Sequence, residues 1–76
     1  MNNQRRKDLQ IAIDELGSVQ SNVSNCQEEE QEYFDTMPEG LQGSEKGDRA
    51  SEVADELMDI ETCIQDLIDR LSECME

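Results

Sequence analysis

Two stretches of this chain space their apolar residues in alternating steps of three and four. The first runs Leu9, Ala12, Leu16, Val19, Val23 and Cys26, then resumes past Glu30 with Tyr33 and Met37. The second runs Ala50, Val53, Leu57, Ile60, Ile64, Leu67, Leu71 and Cys74, and Ala54, Ile68 and Met75 widen it into a broad face. A strand alternates every second residue, so this spacing belongs to helices that lay one side on a neighbour. It predicts an all-α chain in a single domain over 1–76. Its parts are a helix over about 3–35, a connector over about 36–44 and a helix over about 45–75. At 1.5 Å per residue, each helix spans about 45 Å. The regular spacing also argues against disorder, which low hydrophobicity and high charge would otherwise suggest.

Between the helices stands YFDTMPEGLQGSEKG, residues 33–47, with the only Tyr, Phe and Pro of the chain and three of its four Gly. Thr36-Met37-Pro38-Glu39 has capping-box spacing, with Pro38 where a first turn accepts it. Gly40 and Gly43 favour a break, and Ser44 can cap the second helix before Glu45. So short a connector predicts an antiparallel two-helix hairpin, in which residue numbers summing to about 80, such as Leu16 and Ile64, face each other.

A lone hairpin leaves one side of its seam wet, and seventy-six residues bury only about 60% of their unfolded surface. The broad second stripe predicts another layer, as a homodimeric four-helix bundle or a coiled-coil oligomer. Helix one adds LGSVQSNVSNCQ, residues 16–27, without a single charge. Within it Gly17, Gln20, Ser24 and Gln27 continue a stripe that runs from Ile13 to Gln31 and Phe34. Gly, Ser and Asn are poor helix formers. Their presence predicts close packing against another chain, a twin or a target. The predicted oligomer interface is Ile13, Gly17 and Gln20 with Leu57, Ile64, Ile68 and Leu71.

The net charge is −14, from 20 acids against 6 bases, with no His. Such a chain repels nucleic acid and anionic membranes and attracts basic protein surfaces. Charges at the helix ends predict cross-helix pairs: Glu73 and Glu76 beside Arg5–Lys7, and Lys46 and Arg49 beside Glu28–Glu32. Cys26, Cys63 and Cys74 are odd in number and lack C-x-x-C spacing, which predicts neither a disulfide framework nor a zinc site and fits a reducing cytosol. Cys26 and Cys74 read as small core residues. No apolar run approaches the roughly 18 residues of a membrane span. The basic NNQRRKD is followed by no apolar region, so it does not read as a secretory leader. These features predict a cytoplasmic location.

No catalytic His or Cys arrangement, phosphate loop or EF-hand loop is present, and no cofactor or metal is expected. One acidic pattern has chemistry in it. Glu28-Glu29-x-x-Glu32 with Glu52-x-x-Asp55 and Glu56-x-x-Asp59 resembles elements of all-α, magnesium-dependent nucleotide pyrophosphohydrolases of the MazG kind. Residues three apart share a helix face, as converging magnesium ligands require. The family's extra helices are missing. The connector offers a different site. Tyr33 and Phe34 are aromatic anchors beside Gly43, Ser44, Lys46 and Arg49, at a helix N-terminus that welcomes anions. Either a protein or a signalling nucleotide could use these six residues.

The string EEEQEYFDTMPEGLQGSEKGDRA, residues 28–50, resembles a segment of short acidic helical-hairpin proteins of bacteriophages and prophages. That resemblance implies a phage accessory protein, a class in which small oligomeric inhibitors of bacterial immunity are common. The expected function is a non-enzymatic counter-defence inhibitor in the bacterial host cell, which blocks or sequesters a host component with a basic surface. The alternatives are a nucleotide-signal sponge, a structural or assembly coiled coil, and the magnesium-dependent enzyme.

Overall fold

The computed structural model describes residues 1–76, which form three helical elements and no strand. They are α1 (Asn3–Asp35), the single turn α2 (Glu39–Gln42) and α3 (Glu45–Cys74). The connector is therefore not wholly irregular. Gly40 lies inside α2 and Gly43 ends it at φ −87°, and no residue has a positive φ, so neither glycine is needed for a left-handed turn.

Side chains fix the helix ends. Asn2 caps α1 by accepting the Arg5 N–H at 2.8 Å. At the other end Pro38 disfavours helical backbone at Met37. The Thr36 hydroxyl turns back and donates to the carbonyls of Glu32 (2.9 Å) and Tyr33 (3.3 Å), and the Gln42 amide donates to Phe34 O at 3.0 Å. Tyr33 O thereby gains a partner, and Glu32 O and Phe34 O, which already accept the Thr36 and Met37 N–H, gain a second. Thr36 thus closes α1. The predicted capping box does not form, and α2 follows Pro38 with no side-chain cap. Ser44 caps α3 as its sequence position predicts, accepting the Gly47 N–H at 3.5 Å, and Glu45 and Asp48 complement the positive end of that helix.

The two long helices pack side by side in a body of 58 × 15 × 13 Å and run in opposite directions. Near the chain ends the Arg6 side chain donates to Met75 O at 3.2 Å. At the connector end the Lys46 ammonium lies 5.8 Å above the Tyr33 ring. Residues level with each other therefore have numbers that sum to about 80, the register a short connector imposes.

The seam itself differs from the predicted one. On α1, Leu9, Ile13, Leu16, Gln20, Val23, Gln27, Glu30, Phe34 and Met37 are buried or half-buried, while Val19, Cys26 and Tyr33 are exposed. On α3 the sheltered row is Gly47, Ala50, Ala54, Leu57, Glu61, Ile64, Ile68, Leu71 and Met75, while Ile60, Leu67 and Cys74 face out. In heptad terms both seams occupy a and d, and the apolar rows beside them are g, exposed except at the half-buried Ala12 and Val53. Each helix carries an apolar wedge three positions wide, and one neighbouring helix covers two of them. Small residues at the connector half favour this choice: Ala50, 2% exposed, and Ala54, 0%, let α1 approach closely, while Gly47 makes room for the backbone of α2.

The charge-free strip is consequently used inside the chain. Gln27 is buried, and Gln20 Nε2 donates to Gln65 Oε1 at 2.9 Å. Ile13, Gly17, Gln20, Leu57, Ile68 and Leu71, expected to meet a second chain, are half-buried within the single chain, and Ile64 is buried. Gly17 is not at a close approach either, since a Cβ there would meet nothing within 4 Å. Gly17→Ala should therefore stabilise the helix by about 1 kcal/mol, raising the melting temperature by about 4–8 °C. A thermal scan followed by circular dichroism checks this.

Candidate functional site

The connector end brings together only part of the predicted site. Tyr33, at a g position, is 43% exposed, and Lys46, also at g, covers one ring face within cation–π range. Phe34 is one position further round, half-buried in the seam. The Ser44 hydroxyl is committed to the cap, donating to Leu41 O while accepting from Gly47. Gly43 is exposed, and Arg49 points away from the tip to form an exposed pair with Glu52 at 3.8 Å. A shallow hollow is lined by Tyr33, Thr36, Met37, Pro38, Leu41 and Lys46. Leu41, 47% exposed, was missed in the sequence; its signal was an apolar residue alone in a polar connector.

The charges arrange themselves locally. The two salt bridges, Arg49–Glu52 and Arg70–Asp66, both lie within α3 at 3.8 Å and are well exposed. Neither predicted cross-helix group forms an ion pair. Arg6 instead meets a carbonyl at the negative end of α3, and Lys46 meets a ring. Exposed pairs of this kind contribute about 0–1 kcal/mol each. Glu28, Glu29 and Glu32 of α1 and Glu52, Asp55, Glu56 and Asp59 of α3 all face solvent. They do not converge: no group of three or more carboxylates, thiols or imidazoles could hold a metal ion. Cys26, Cys63 and Cys74 are free and exposed, so the core role expected for Cys26 and Cys74 is replaced by a place on the surface.

The largest continuous feature is a flank. Because Tyr33 and Lys46 meet, the g rows of both helices share one side of the pair. Val19, Tyr33, Ile60 and Leu67 on that side are 38–47% exposed. The opposite side, the e rows, carries Ser24, Gln31, Ser51 and the Gln65 that bonds Gln20, with one exposed large apolar side chain, Met58. No helix is long and apolar enough to cross a membrane. Compared with protein-family models, curated proteins and solved structures, the chain matches none.

Proposed function

We propose that this chain is a non-enzymatic, phage-type binding protein that works by contact in the cytoplasm of a bacterial host. As a helical hairpin that self-associates, it blocks or sequesters a host immunity component through an acidic surface that docks on a basic protein site. The observation that carries this reading is the placement of the charge. Apart from Glu30 and Glu61 in the seam, the carboxylates stand outward along both helices, and only two form ion pairs, both local. A surface of one sign raises the rate and specificity of association with an oppositely charged partner. The test is capture from host-cell lysate on the immobilised chain. A basic protein should be retained at low salt and released steeply between 50 and 500 mM NaCl, because charge contacts are screened over about a Debye length. Retention that ignores salt, or no captured protein, contradicts the reading.

The Tyr33–Lys46 pair favours one second reading, a sponge for signalling nucleotides, since a base can stack on an exposed ring beside an ammonium. Titration calorimetry with cyclic dinucleotides and ADP-ribose derivatives decides it: no heat with any of them removes the sponge.

A further inference from the structure

We infer that the g flank is covered by a second copy of this chain, with α1 of each copy lying on α3 of the other and both connectors at the same end.

Area argues for the occupant. The chain exposes 5537 Å², whereas a folded monomer of 8.7 kDa exposes about 4,700 Å² on the usual scaling of surface with mass. That excess follows from the rod shape of 58 × 15 × 13 Å, and one long flank of such a rod offers the roughly 800 Å² that each partner contributes to a standard protein interface. Four of the large apolar side chains that stay wet, Val19, Tyr33, Ile60 and Leu67, lie along one side. A two-fold partner offers that same strip in return, so the surface complements itself.

Charge argues for the arrangement. The row bordering the flank on α1 carries Asp8, Glu15 and Glu29, and the bordering row on α3 carries Arg49 and Arg70. All five are exposed. A two-fold axis parallel to the helices sets α1 against the partner's α3 in the same level register that operates within the chain. Asp8 then stands level with Arg70 and Glu29 with Arg49, while Glu56 on the same row meets Asn22 rather than an acid. The perpendicular axis would set the acidic α1 row against itself, and like charges at an interface are strongly disfavoured. The inference deepens the self-association proposed above and rests on it: it fails on mass, whereas the blocking function fails on capture.

Sedimentation velocity on the full chain is the test. Wild type should sediment as two chains at 20 µM. Leu67→Asp should sediment as one, keeping most of its helix signal at 5 °C because Leu67 lies outside the seam. Glu29→Arg and Arg49→Glu should each raise the dissociation constant about tenfold, and the double reversal should restore it to within about threefold. A single-chain wild type, or a Leu67→Asp protein that still pairs, overturns the proposal. So does a double reversal no better than the single ones. Glu29 and Arg49 are exposed, so the rim variants decide the matter even if Leu67→Asp loses its helices.

Discussion

Ile64→Asp should abolish the helical circular dichroism signal at 25 °C. Ile64 is one of only three buried hydrophobic residues, at 8% exposure, and stands near the middle of the seam. Replacing it forfeits about 2–3 kcal/mol of apolar burial. It also sets a carboxylate in the seam without a basic partner, at a cost of several kcal/mol more. A chain of this size has about 4–11 kcal/mol of stability in all, and the surrounding charge of −14 makes a further negative group harder to accommodate. Ile64→Val should cost only about 1 kcal/mol. An Ile64→Asp protein that melts within a few degrees of wild type would show that the seam is drawn in the wrong place.

Gly47→Ala should lower the melting temperature by about 10 °C, through a net loss of roughly 2 kcal/mol. Gly47 is buried under the connector, and a Cβ there would fall on the carbonyl oxygens of Leu41 and Gln42. Those are backbone atoms, so no flexible side chain can swing aside. α2 would have to lift from α3, disturbing the Ser44 cap and the Gln42 bond to Phe34. The alanine's better helix propensity, about 1 kcal/mol, offsets only part of this. The same substitution at Gly17 has the opposite expected sign. Thermal melts of the two variants side by side therefore test the close approach itself, and a rise in both would remove it.

Much of the secondary structure could be read directly, because spacing and caps are local properties. Steps of three and four gave both long helices, and Ser44 announced the start of α3. Thr36 misled because a hydroxyl can cap the helix that follows or bond back into the one that precedes, and only the position of Pro38 in space decides between them. The seam was harder for a different reason. Ala12, Val19, Cys26 and Tyr33 are on average more apolar than the neighbouring row of Ile13, Gln20, Gln27 and Phe34, so hydrophobicity selects the row that ends up outside. What places the glutamine row inside is the partner helix, where Gln65 bonds Gln20 and the small Ala54 stands level with Gln27. The charge-free stretch 16–27 did register this demand. Within the chain, Gln20 and Gln27 of that stretch are sheltered, while Val19 and Cys26 are not. At the connector, Tyr33 and Phe34 look equivalent in one dimension. The helical rotation of about 100° per residue separates them, leaving one ring outside with Lys46 and the other in the seam.

The account rests on a pair of helices whose outer strip needs a companion molecule, so its melting behaviour must depend on how much of the chain is present. Mass action links the two: for a two-chain assembly of this size, each tenfold dilution should lower the melting temperature by about 5 °C. Scans at 1, 10 and 100 µM would show that descent. One sharp transition at the same temperature across all three concentrations would mean that each molecule stands alone, and would contradict the account.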